Sequence, residues 1–136
     1  MTFVLDASIT LAWCFDDEEN EVADSVFSLL DDENAIAPSV WPLELANSLL
    51  TAERRGRISP SETARIIGLV ERLPVSVLHT EVNETMSEVI RIGRDQRLSA
   101  YDASYVYVAL ASGLSLATLD SRLRLVCQRV NVALIS

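Results

Sequence analysis

Four acidic residues stand where their neighbours give a carboxylate something to do: Asp6, Glu44, Asp102 and Asp120. Asp6 ends the short apolar run Phe3, Val4, Leu5, and burying it unpaired would cost several kcal/mol. Asp120 follows LSLAT and precedes SRLRLVCQRV, and Asp102 lies in the first turn of YDASYVYVAL. Taken singly, each Asp has an ordinary explanation. Asp is a favoured N-cap, a helix dipole favours a carboxylate in the first turn, and Ser99 with Asp102 fits the S-x-x-D capping pattern. Glu44 sits in SVWPLELANSLL among Val40, Trp41, Leu43 and Leu45. It reads either as a surface residue of its helix or as a fourth member of the group. Asn47, three residues on and on the same face, can orient it by a hydrogen bond.

Spacing changes the weight of these readings when the elements are laid out. Short apolar runs alternate with longer segments of helical period, the pattern of an α/β domain with a mainly parallel sheet. The expected strands are Thr2 to Leu5, Asn34 to Ala37, Val75 to Leu78, Leu114 to Thr118 and Val132 to Ile135. The expected helices run from about Ser8 to Phe15, Glu21 to Leu30, Val40 to Arg55, Glu81 to Arg97, Tyr101 to Ser112 and Ser121 to Val130. Another starts at Pro60, with Ser59 as cap and Glu62 completing a capping box, and Pro74 closes it. DDEEN, residues 16–20, reads as an acidic turn, and Gly56 as the left-handed stop after Arg55. No repeat or linker interrupts the chain, so one domain over residues 1–136 is expected.

In an open parallel sheet the strand ends and the following helix N-termini meet at the carboxyl edge, where ligands bind. Three caps would then crowd together. Carboxylates so close repel, and either their pKa values climb or a cation sits between them. Oxygen donors without His or Cys point to Mg²⁺ or Mn²⁺ rather than zinc. A metal-activated water needs no histidine base, and the single histidine, His79, reads as an ordinary partly exposed side chain.

The chain has 136 residues, 49% of them hydrophobic, and a formal net charge of -9. Binding nucleic acid through bulk positive charge is therefore excluded, and contact with a phosphate backbone requires local clusters or a bound cation. All 11 basic residues are Arg. They gather in AERRGR (Arg54, Arg55, Arg57) and RIGRDQR (Arg91, Arg94, Arg97), where planar forks can grip phosphate, although charge runs are often plain solvated helix ends. Cys14 and Cys127 show no metal spacing and read as core thiols; Trp13, Trp41, Tyr105 and Tyr107 read as core or interface. Neither a membrane span nor a signal peptide is apparent, so a cytoplasmic location is expected.

Three stretches together resemble the PIN domains of the VapC toxin type, the ribonuclease half of bacterial type II toxin-antitoxin pairs. VLDASITLAWCF resembles the family's opening, with Asp at the first strand end and Ser two residues on. WPLELANSLLTAERRGRIS resembles the helix carrying its Glu and nearby Asn. LSAYDASYVYVALASGLSLATLDSRL resembles its YDA helix and T-x-D strand end. The resemblance runs from about Thr2 to Ile135 and rests on the order and spacing of the stretches.

The resemblance implies a three-layer fold with a mainly parallel sheet of about five strands flanked by helices, an acidic metal site, and a homodimer. Carried over by position, Asp6, Glu44, Asp102 and Asp120 match the acidic quartet, with Ser8, Asn47 and Thr118 as supporting polar groups. Asp6 and Asp102 would ligate the metal directly, Glu44 would hold a second ion or orient water, and Asp120 would complete the pocket. Ser8 and Thr118 would also satisfy exposed backbone groups. The implied activity is metal-dependent endonucleolytic cleavage of RNA, most readily in a single-stranded loop, leaving 5′-phosphate and 3′-hydroxyl ends. The implied partner is a VapB-type antitoxin reaching the acids with an Arg. Two departures touch RNA choice: RIGRDQR lacks the Lys or His often found there, and QRVNVALI lacks Gly. A response-regulator receiver would need a Lys this chain lacks. A catalytically silent PIN-like module binding RNA or protein is the other alternative.

Overall fold

The computed structural model describes residues 2–15 and 20–135; most of the acidic DDEEN stretch lies outside them. Its strands are β1 (Phe3–Leu5), β2 (Ala35–Ala37), β3 (Val75–Val77) and β4 (Leu116–Ala117). The helices are α1 (Ala7–Cys14), α2 (Glu21–Leu29), α3 (Trp41–Arg54), α4 (Pro60–Glu71), α5 (Val82–Gln96), α6 (Ala100–Ser112) and α7 (Ser121–Val130). The four strands form one parallel sheet in the order β3-β2-β1-β4.

β1 is the pivot of this sheet. It pairs with β2 through Phe3–Ala35 and Val4–Ile36, and with β4 through Val4–Leu116 and Leu5–Ala117. Phe3, Val4 and Leu5 are wholly buried, and burying such side chains contributes about 1.5–3 kcal/mol each. That gain, made immediately before Asp6, offsets much of the cost of placing a carboxylate at the strand's end. The main chain continues the pairing there, since the Asp6 amide donates to the Ala117 carbonyl at 3.0 Å.

A fifth strand was expected at Val132 to Ile135, and among the described residues a single parallel bridge forms there, between Leu134 and Leu116. The cause lies in its neighbour. β4 is two residues long because Thr118 leaves the ladder and turns its hydroxyl to Asp6, so little edge remains to pair with. The other expected strands form at their cores with frayed ends.

The helix boundaries follow local chemistry. At α4 the Ser59 hydroxyl accepts from the Glu62 amide while the Glu62 carboxylate accepts from the Ser59 amide, the reciprocal capping box. Beyond α3, Gly56 takes φ +71°, a conformation costly for a residue with a Cβ. α5 packs along α6, while α1 lies against α2 and α3. The Trp41 indole N–H donates to the Thr10 hydroxyl at 3.3 Å in a buried contact, fixing the start of α3, and hence Glu44, against α1.

Both cysteines behave as inert thiols. Cys127 is buried and Cys14 half-buried, and burial pushes each thiol up to about 11. Trp13 stacks edge-on against Phe27 and donates to the Ala23 carbonyl at 2.8 Å, a packing role. Among the described residues no helix is long and apolar enough to cross a membrane.

Ser59→Ala removes one half of the capping box and is expected to cost about 1 kcal/mol, read as a lower denaturant midpoint at unchanged slope. An unchanged midpoint would show that the box contributes nothing.

Candidate functional site

Four structural features, one for each acid, bring the acids to the carboxyl edge. The end of β1 delivers Asp6, the segment after β4 delivers Asp120, and the first turn of α6 delivers Asp102. Glu44 comes from the first turn of α3. The four are close enough for their charges to act on one another: Asp6 on Glu44 and Asp102, Asp120 on Asp6 and Asp102, Asp102 on Glu44.

Their local roles differ. Asp120 is a true N-cap, its Oδ1 accepting from the amides of Arg122 and Leu123 at 2.9 and 3.1 Å. Asp6 occupies the cap position of α1 but makes no side-chain capping bond. Its Oδ2 instead accepts from the hydroxyls of Ser8 and Thr118, both at 2.6 Å. Those hydroxyls serve twice, because the Leu119 amide donates to Ser8 Oγ at 2.9 Å and the Asp120 amide to Thr118 Oγ1 at 3.0 Å. The expectation that Ser8 and Thr118 satisfy backbone groups is met, and the same atoms orient the most buried acid. The Ser99 hydroxyl accepts from the Asp102 amide at 3.1 Å, as the S-x-x-D pattern requires.

Glu44 is oriented differently from the expectation. Among the described residues no hydrogen bond joins it to Asn47; the Tyr105 hydroxyl donates to Glu44 Oε1 at 2.6 Å instead. Asn47 is exposed and lines a surface cavity of about 290 Å³ with Leu11, Phe15, Arg55 and Arg57. Sharing a helix face did not suffice, because a wholly buried tyrosine from α6 reaches the carboxylate first.

Burial and mutual charge raise three of the acids. Asp6 is 4% exposed, and desolvation lifts its pKa, with Ser8 and Thr118 pulling it partly back and the charge of Asp120 adding to the rise. Glu44 is raised first by burial, then by Asp6 and Asp102, against the lowering effect of Tyr105. Asp102 is raised by burial, Asp120 and Asp6, and is lowered by Arg122 and Ser99. The Tyr105 hydroxyl is pushed far above its ordinary range by burial and by its bond to Glu44, so it stays a donor.

The arginines divide unexpectedly. Arg54, Arg55 and Arg57 are exposed at the far end of α3, where Arg54 lies roughly 15 Å along the axis from Glu44 at 1.5 Å per residue. The Arg57 guanidinium stacks over the Phe15 ring at 4.2 Å. Arg91 pairs along α5 with Glu88 at 2.7 Å and Asp95 at 3.8 Å, while Arg94 and Arg97 are exposed near the end of that helix. Two cations that the clusters did not suggest act at the site. Arg122 bears on Asp102, and Arg124 donates to the Thr118 carbonyl at 3.0 Å. Their signal was positional: side chains in the first turn after an Asp cap lie beside that Asp.

The donor set is all hard oxygen and carries unneutralised charge, which suits a divalent cation of the Mg²⁺ class. As the side chains stand, no three acidic, imidazole or thiol groups among the described residues are gathered tightly enough to hold an ion. Asp6 is fixed by its hydroxyls, whereas Glu44, Asp102 and Asp120 are only half-buried.

Comparison with known proteins gives a consistent picture. The PIN domain family profile matches residues 3–128. A Pyrobaculum aerophilum protein named Exonuclease VapC9 is 35% identical over 80 residues, 59% of this chain and 57% of its own length. The chain therefore matches less than two thirds of that curated relative. Among solved structures, PAE2754 from Pyrobaculum aerophilum superposes with a TM-score of 0.68 at 26% identity, over 90% of this chain and 82% of the other. VapBC2 from Rickettsia felis, bound to a promoter DNA fragment, gives 0.68 at 14% identity over 98% and 97%. FitAcB from Neisseria gonorrhoeae gives 0.67 at 14% over 100% and 97%. At such low identity the last two show the fold alone.

Asp6, Glu44 and Asp102 bind protons more tightly folded than unfolded, so stability falls as pH rises from the ordinary carboxylate range through their raised values. In EDTA near neutral pH, Asp6→Asn is expected to melt about 2–4 °C above the native chain. The gap should close as the pH falls and Asp6 takes up its proton. Thermal melts of both proteins across that range check this, and a gap independent of pH would contradict it.

Proposed function

This chain belongs to the PIN domain family, and we propose that it is a metal-dependent endoribonuclease, the toxin component of a VapBC-type toxin-antitoxin pair. The observation that carries the reading is the set of four acids on separate elements, mutually coupled at the carboxyl edge, with Asp6 held by two hydroxyls and, among the described residues, by no basic side chain. The nuclease name of the Pyrobaculum aerophilum relative supports it.

Asp6 and Asp102 would hold a Mg²⁺ or Mn²⁺ ion, with Glu44 and Asp120 completing the donor set. Bound there, such an ion lowers the pKa of a water toward neutrality and stabilises charge on a phosphate. The chain's own residues do the rest. Ser8 and Thr118 keep Asp6 fixed. Glu44, half-buried in the first turn of α3, would orient the attacking water. Water adds to phosphorus in line and the 3′ oxygen leaves, giving 5′-phosphate and 3′-hydroxyl ends. Arg122 beside Asp102 offers a fork to the incoming backbone, and the more distant Arg clusters hold flanking phosphates. That division lets a chain of net charge -9 accept RNA, most readily a single-stranded loop. A VapB-type antitoxin would block the site by presenting an Arg to the acids, and the toxin would act as a homodimer in the cytoplasm.

A second reading has one observation of its own. The acids are not gathered at ligating distance as they stand, which favours a PIN-like module that binds RNA or protein without cutting.

Purified chain with Mg²⁺ or Mn²⁺ is expected to cleave a structured RNA, EDTA to stop it, and Asp6→Asn or Asp102→Asn to lower the rate at least about 100-fold, as loss of a catalytic group does. RNA that is bound but left intact by the native chain would favour the silent module. Equal cleavage by the variants would remove the acids from the mechanism.

A further inference from the structure

We infer that Tyr105 is a positioning residue of the acidic site, holding one oxygen of Glu44 so that the carboxylate faces the cation-binding space with its negative charge intact. The inference deepens the nuclease reading and rests on it.

Tyr105 lies three residues after Asp102 in α6, so both project from one face of that helix. Its side chain is wholly buried, and its hydroxyl spans to Glu44 on α3, 61 residues away in sequence, at 2.6 Å. Among the described residues this is the hydrogen bond that the Glu44 side chain accepts. The arrangement repeats the one at Asp6, whose Oδ2 takes two hydroxyls.

The choice of donor matters chemically. An Arg or Lys would neutralise the carboxylate it held and compete with a cation for it. A phenol fixes one oxygen and leaves the net charge in place. It also makes α6 carry two parts of the site one helical turn apart: Asp102 as a direct donor, and Tyr105 as the brace for a donor on another helix. Partners that orient metal-binding carboxylates typically change metal affinity 10–100-fold when removed.

The test is Mn²⁺ binding to the full chain by titration calorimetry, with melting in EDTA measured alongside. Tyr105→Phe keeps the ring and removes the hydroxyl. It is expected to weaken Mn²⁺ about 10–100-fold while shifting the EDTA melting temperature by only a few degrees. In a Glu44→Gln background the same substitution should change Mn²⁺ affinity less than about threefold, because the carboxylate it braces has gone. Tyr105→para-aminophenylalanine, which restores a donor, should return the affinity to within about tenfold of native, and it provides the reading if Tyr105→Phe does not fold. Native-like Mn²⁺ affinity in Tyr105→Phe, an equal loss in the Glu44→Gln background, or no recovery with the amine overturns the inference. If Asp6→Asn binds Mn²⁺ as well as the native chain does, the metal-site reading itself fails, whatever Tyr105 does.

Discussion

A buried carboxylate can be held by a cation or by neutral donors, and the two leave different things behind. A cation satisfies the group and ends its interest in other charges. Hydroxyls satisfy its oxygens and leave a full negative charge in a poorly solvated place. The second arrangement governs the carboxyl edge of this sheet. Ser8 and Thr118 serve Asp6, Tyr105 serves Glu44, and three of the four neighbouring acids have raised proton affinities as a result of burial and one another. Such a site is costly to keep and is poised for something positive.

The rest of the fold can be understood as what makes that cost bearable. β1 precedes Asp6 with three wholly buried apolar residues and sits between two strands, so the acid is mounted on a buried interior strand of the sheet. Thr118 leaves β4 early to reach Asp6, which shortens that strand and reduces the final segment to one bridge. The buried contact of Trp41 with Thr10 fixes α3 on α1, and Tyr105 ties the same helix to α6. Site and scaffold share these contacts, so a change that relaxes the site also loosens how helices seat on the sheet.

Much of this is legible in the amino-acid sequence alone. The strand cores, the helices of the described residues and the capping box at Ser59 follow from hydrophobic period and capping chemistry, which act over a few residues. Asp6, Asp102 and Asp120 could be placed at one edge because parallel sheets put strand ends and helix starts together. What escaped were contacts between elements distant in sequence. Asn47 shares a face with Glu44, yet the bond came from Tyr105, and no local pattern reports which helix will lie across another. The Arg clusters drew attention by density, whereas Arg122 and Arg124 gained their place from the turn they occupy beside Asp120.

Membership of the PIN family gives this geometry its context, and the proposed activity turns on whether the concentrated charge meets a divalent ion. The most direct measurement is anomalous diffraction from crystals of the chain grown with Mn²⁺. The account predicts a manganese peak bound by carboxylate oxygens of Asp6 and Asp102, with Glu44 still bonded to the Tyr105 hydroxyl. A fully loaded crystal with manganese elsewhere, or with none between these acids, would contradict it.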